Sequence, residues 1–99
     1  MVRIKWTEQA KFDLKDIADY ISKGSLKYAK ITVINLRLRT NILKSHIRTG
    51  TVVPEYEIEF IRELIEGNYR IIYFINNENL IEILAVIHGA RDLTKIKLG

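Results

Sequence analysis

The sequence predicts an α+β domain in the order β-α-α-β-β-β, with a helix hairpin packed on one face of a small, mainly antiparallel sheet. Two observations predict it. Apolar residues recur at helical spacing through the first half of the chain, and from Phe60 onward three apolar, β-branched runs are separated by short polar turns. Strands joined by links that short can pair only antiparallel, as a meander. Such a sheet must bury at least one face, and the helices are available to cover it.

Each element has a local reason. Residues 2 to 6, VRIKW, alternate apolar and basic with period two, as a strand with one buried face does. Thr7 then offers its hydroxyl as a helix N-cap, and Glu8 lies in the first turn, where the helix dipole favours an anion. Ala10, Leu14, Ile17, Ala18 and Ile21 fall on one helical face. Gly24 is expected to close this helix as a left-handed cap, and Ser25 to start the next, which makes the pair an antiparallel hairpin.

The second helix is expected over residues 26 to 46 and carries two apolar stripes. Leu26, Ala29, Val33, Leu36 and Leu43 form one; Ile31, Ile34, Leu38 and Ile42 form the other. A helix apolar so far round either lies between the first helix and the sheet or leaves one stripe open for a partner. Gly50 and the only proline, Pro54, end the pattern and introduce a loop with Glu55, Glu57 and Glu59. The runs FIRELI, YRIIYFI and LIEILAVIH are the strands, turned at Gly67-Asn68 and at the polar NNEN of residues 76 to 79.

Composition bounds the class. With 99 residues, 47% apolar and 28% charged, the chain is expected to form one soluble globular domain spanning 1 to 99. It has no cysteine, which removes disulfides and thiolate metal sites; no metal and no cofactor are expected. The start MVRIKW is not a secretory signal, and no apolar run approaches the roughly 20 residues that span a bilayer, so a cytoplasmic protein without a membrane partner is expected. The net charge of +4 is uneven, since residues 1 to 50 carry +7 and residues 51 to 99 carry −3. A basic half attracts polyanions or an acidic partner protein.

Arg62 and Arg70 stand inside strands, where a permanently charged guanidinium needs a carboxylate, an anion or an exit to water. A three-residue loop at Gly67-Asn68 puts both arginines on one sheet face, and a two-residue turn puts them on opposite faces. The register at NNEN likewise decides whether His88 joins Arg70. The bland alternative pairs Arg62, Arg70 and Arg91 with Glu63, Glu82 or Asp92.

The ordered set WT..A..DL..I..YI (Trp6 to Ile21), VPE (Val53 to Glu55), IREL (Ile61 to Leu64), NYRIIY (Asn68 to Tyr73) and VIHGARDL (Val86 to Leu93) resembles the RelE/ParE family of toxins from type II toxin–antitoxin modules, also called plasmid stabilisation proteins. The resemblance implies a growth-inhibiting toxin, in complex with a cognate antitoxin that neutralises it. It leaves two targets. ParE-like members poison DNA gyrase, and the IREL strand and HGARDL ending look more like these. RelE-like members cut mRNA in the ribosome without a metal. By resemblance to a histidine-containing subgroup of those nucleases, Glu55 would be the base, Arg70 the phosphate clamp and His88 the acid. The sequence departs from that subgroup in having PEYEIE where a lysine-rich segment is expected, and Gly89 where an aromatic follows the histidine.

The ParE-like reading is favoured. Under it Arg62, Arg70, Tyr73, His88 and Arg91 on the sheet, with Leu36 and Arg37 on the second helix, are the target- or antitoxin-binding candidates. The antitoxin is expected over an open sheet face and the exposed part of helix 26 to 46, and toxicity to depend on the hairpin and on the segment from His88 to Leu98. A degenerate member that only binds its antitoxin is the third possibility.

Overall fold

The computed structural model describes residues 1–95, so residues 96 to 98 of the expected functional tail lie outside the described residues. Strand β1 (Arg3–Trp6) leads into helix α1 (Glu8–Ser22) and helix α2 (Leu26–Arg39), which tightens into a 3₁₀ segment at Thr40–Lys44. Strands β2 (Thr51–Val52), β3 (Ile61–Glu66), β4 (Tyr69–Asn77) and β5 (Leu80–His88) follow, with a last 3₁₀ turn at Leu93–Lys95. The sheet order is β1-β5-β4-β3-β2, with β1 parallel to β5 and all other pairs antiparallel. Among the described residues, no helix is long and apolar enough to cross a membrane.

The expected caps form. The Thr7 hydroxyl oxygen accepts from Ala10 N (3.2 Å) and the hydroxyl donates to Ile83 O (2.7 Å), tying the start of α1 to β5. Ser25 caps α2 by accepting from Tyr28 N at 3.0 Å.

Three local expectations need correction. Gly24 is not a left-handed cap; only Gly67 has a positive φ among the described glycines, and the hairpin instead closes by Gly24 N and Ser25 N both donating to Ile21 O. The α-helical part of the second helix stops at Arg39 and not at 46, where the Thr40 hydroxyl donates to Arg37 O (2.7 Å) and the coil tightens. The short β2 was not expected; two residues of the 48–53 segment pair with Glu63 and Arg62 of β3.

The hairpin covers one face of the sheet, packing Ala10, Leu14, Leu36 and Leu43 on Leu64, Ile71, Tyr73 and Ile83. The opposite face is not left free, as had been expected of a meander. A second cluster of Val53, Ile72, Ala85, Ile87 and Leu93 covers its centre with the loop after β2 and the turn after β5.

Gly50 sits where these layers meet. A Cβ there would lie 2.5 Å from Glu63 O and 2.7 Å from the Tyr73 ring and hydroxyl. Gly50→Ala is therefore expected to cost roughly 1–3 kcal/mol by overpacking. Thermal melting of the purified variant measures it, and an unchanged midpoint would mean that the strand pair yields without cost.

Candidate functional site

The β3–β4 turn decides where the arginines go. Gly67 has φ 57°, as a two-residue hairpin turn with glycine first requires, and Glu66 pairs with Tyr69. That register sets Arg62 opposite Tyr73 and Arg70 opposite Ile65, so the two arginines point to opposite faces. On the other edge of β4, Tyr69 pairs with His88 and Arg70 with Ile87, so His88 shares a face with Tyr69 and not with Arg70. The rings of Tyr69 and His88 meet edge to face at 6.1 Å.

Arg70 is 7% exposed and all three guanidinium nitrogens are engaged. Nη1 and Nη2 grip Glu55 in a bidentate pair (2.8 and 2.7 Å), Nε donates to Glu63 Oε1 (2.6 Å), and Nη1 also donates to Arg91 O (3.1 Å). Glu55 Oε2 in turn accepts from Leu93 N at 3.0 Å, and the Tyr56 hydroxyl donates to Leu93 O at 3.4 Å. The cluster is a pin that fastens the loop after β2 and the turn after β5 to the sheet. The Arg70 guanidinium and the Leu93 amide hold the Glu55 carboxyl down at about 2, and the Glu55 carboxylate raises the already high pKa of Arg70.

The other candidates separate into buried supports and exposed groups. Leu36 and Tyr73 are fully buried. The Tyr73 hydroxyl donates to Ile47 O (2.9 Å) and accepts from Gly50 N (3.0 Å), while burial pushes its pKa up. Arg62 donates to Glu59 O, Arg48 O and Gly50 O and pairs with the Glu59 carboxylate, clamping the loops on either side of β2. These three residues, with Arg70, are thus spent on the fold, which corrects their expected place on a binding surface. Arg37, His88 and Arg91 remain exposed. The Arg37 guanidinium lies over the Trp6 ring, 5.0 Å from its centroid.

The nuclease trio is not assembled, because Glu55 and Arg70 neutralise one another on one face while His88 lies on the other. Among the described residues no group of His, Asp and Glu could hold a metal ion.

One feature escaped the sequence reading. A register shift at Leu84 turns Val86 N toward α1, where Asp13 Oδ2 accepts from it at 2.9 Å; burial raises the Asp13 pKa. The outer stripe of α2, by contrast, was one of the two readings of that helix. Ile31 is 41%, Ile34 55%, Leu38 58% and Ile42 38% exposed, so of the two readings of this helix the open one holds. The stripe's i, i+3, i+7, i+11 spacing was its only sequence signal.

A strand, a helix hairpin and an antiparallel meander in one domain make the fold that the resemblance to RelE/ParE toxins implies. The family profile described as the ParE toxin of the type II toxin–antitoxin system, parDE, matches residues 4–93. The chain belongs to this family. Its fold is similar to that of a chain in the chromosomal ParDE toxin–antitoxin system from P. aeruginosa, with TM-score 0.72 and 23% identity over 89% of this chain and 96% of that one. It is also similar to a chain of the RelBE2 toxin–antitoxin complex (Rv2865-2866) from Mycobacterium tuberculosis, with TM-score 0.55 and 22% identity over 88% and 96%. No curated protein matches significantly.

Proposed function

We propose that this toxin acts in the cytoplasm by ParE-like inhibition of DNA gyrase and is neutralised by a cognate antitoxin. The observation that carries this reading is the state of Arg70. An arginine that spends four of its five N–H donors on two carboxylates and a carbonyl, and is 7% exposed, has little left to offer a phosphate. A carboxyl held near 2 is also a poor base for a 2′-hydroxyl at neutral pH. RelE-like cleavage would need Glu55, Arg70 and His88 around one phosphate, whereas a toxin that works by binding needs only an exposed surface. The match to the ParE profile and the ParDE neighbour support the same choice.

The antitoxin is placed over the exposed stripe of α2. The centre of the second sheet face is already filled by Val53, Ile72 and Leu93, so that part of the expected antitoxin surface is given up.

Expression of the chain alone is expected to arrest growth, and co-expression of the protein encoded beside it to restore growth. His88 is the substitution that separates the targets, because it is exposed and its removal spares the Arg70 pin. His88→Ala should keep its toxicity, inhibit purified gyrase in a supercoiling assay and leave transcripts uncut. Loss of the 10² to 10⁴ in rate that general acid–base catalysis typically supplies, with gyrase unaffected by the wild type, would identify the RelE-like activity instead. Normal growth at confirmed expression of folded protein would leave only the degenerate, antitoxin-binding member.

A further inference from the structure

We infer that the tip of the loop between β2 and β3, where Ile58 and Phe60 stand out beside Glu57, is the surface with which the toxin grips its protein target, and that it fits an apolar hollow bordered by lysines and arginines. This rests on the reading of the chain as a gyrase inhibitor and specifies the chemistry of the contact.

The loop is closed on itself. Val53 N donates to Ile61 O at 3.1 Å and brings its two ends together. Between them lie two turns: Tyr56 N and Glu57 N both donate to Val53 O (3.1 and 2.9 Å), and Ile61 N donates to Ile58 O (3.0 Å). Glu57, which joins the turns, has φ 53° and is the only non-glycine residue with a positive φ among the described residues. A glutamate keeps that conformation where its surroundings impose it. Here they do so from both sides. Val53 and Tyr56 pack into the second buried cluster, and Glu55 is gripped by Arg70. Beyond Glu57, Arg62 holds the Glu59 carbonyl and carboxylate, and Ile75 N donates to Phe60 O at 2.8 Å. Compact loops closed in this way commonly carry binding residues on a rigid scaffold.

What this loop holds out is apolar. Ile58 is 46% and Phe60 49% exposed, and neither joins the two buried clusters of the described residues. A large apolar side chain on a backbone already fixed loses little freedom on docking, which favours its use as an interface anchor.

Charge selects the partner. Residues 51 to 66 hold five glutamates against one arginine, and Arg70, drawn onto Glu55 and Glu63, offsets only one more. Glu57 pairs with no cation among the described residues. No acidic residue occurs between Asp19 and Glu55, although seven lysines and arginines do. The two poles suit partners of opposite sign: a protein that covers the basic side with carboxylates is repelled by the loop. A protein that works on duplex DNA must offer lysines and arginines to the phosphates, and such a surface attracts Glu57 and leads Ile58 and Phe60 into contact.

The test measures two activities of the full toxin: inhibition of purified gyrase in a supercoiling assay, and calorimetric binding of the protein encoded by the neighbouring reading frame. Ile58→Ser and Phe60→Ser alter exposed side chains and should melt like the wild type. Each is expected to raise the half-inhibitory concentration by roughly 30-fold or more, the loss typical of an interface anchor, while leaving binding of the neighbouring protein unchanged. Glu57→Lys should weaken inhibition more at low salt than at high salt. Glu57→Gly relieves the positive φ, so it should melt higher and yet inhibit less, a pair of effects that a merely structural loop does not give. Inhibition by the wild type that all four variants preserve overturns the inference and leaves the gyrase reading intact. A folded, toxic wild type without effect on gyrase overturns both. Variants that lose the neighbouring protein and keep gyrase assign the tip to the antitoxin, and a wild-type dimer that Phe60→Ser converts to a monomer assigns it to a second copy; either result overturns the inference.

Discussion

Arg70→Ala is expected to remove roughly 3–5 kcal/mol of folding stability, the usual loss when one member of a buried ion pair is deleted. The mechanism is specific. Two carboxylates, Glu55 and Glu63, lose their shared cation, and Arg91 O loses its donor, at a site that solvent reaches poorly. For a domain of this size that corresponds to a melting midpoint lower by about 4–8 °C for each kcal/mol. Arg70→Lys should fall between the two, because an ammonium keeps the charge but cannot reproduce the bidentate fork. Urea titration of the purified variants gives the numbers directly. A change below about 1 kcal/mol would mean that the cluster relaxes and rehydrates, as surface pairs do. The same loss has a bearing on activity tests: a non-toxic Arg70→Ala variant reports a lost fold before it reports lost chemistry.

The second large effect is on acid stability. Glu55 has a carboxyl lowered from 4.5 to about 2 by the Arg70 guanidinium and the Leu93 amide, and its side chain is 17% exposed. A depressed carboxyl pKa contributes stability that is present above the unfolded value and is lost as pH falls through the folded one. The window is therefore from about 4.5 down to about 2, and the amount, discounted for solvent screening, is at most about 3 kcal/mol at 1.36 kcal/mol per unit. It is the same interaction that Arg70→Ala removes, so the two effects do not add. Glu55→Gln should be less stable at neutral pH and should lose less on acidification through that window. Equal acid sensitivity in wild type and variant, followed by circular dichroism, would show that other carboxylates control acid unfolding.

The fold was legible because its signals are local. Thr7 and Ser25 cap as their side chains predict, the Ala10 to Ile21 face turns inward with Ala10 and Leu14 buried and Ile17, Ala18 and Ile21 half-buried, and short polar links force the meander. The site was legible only in part, because it depends on register. Whether Arg62, Arg70 and His88 share a face follows from one residue more or less in a turn, and Gly67-Asn68 fits either count on paper. Glu63 could be named as a partner for Arg70 from strand proximity, but the bidentate partner, Glu55, arrives from a loop whose path no periodicity records. A cavity of about 260 Å³ beside α2 has the same origin, since Tyr28 and Asn35 of α2 and Glu66 and Tyr69 of the β3–β4 hairpin line it together only once helices and sheet have docked. Buried Leu36 and Tyr73 were misplaced for a simpler reason: conspicuous residues on a small domain are as often its core as its surface.

The pairing of β1 with β5 has a consequence in time. The first strand is made first, yet among the described residues its only neighbour in the sheet is the last strand, and the Thr7 hydroxyl waits for Ile83 across 76 residues. Contacts so distant along the chain form late, because the loop that joins them must close before they repay its entropy. The helix hairpin needs no such closure and can assemble from neighbouring residues alone. As the chain leaves the ribosome, the outer stripe of α2 is therefore presented before the sheet that completes the toxin exists. A partner that reads this helix can engage the chain while it is still harmless.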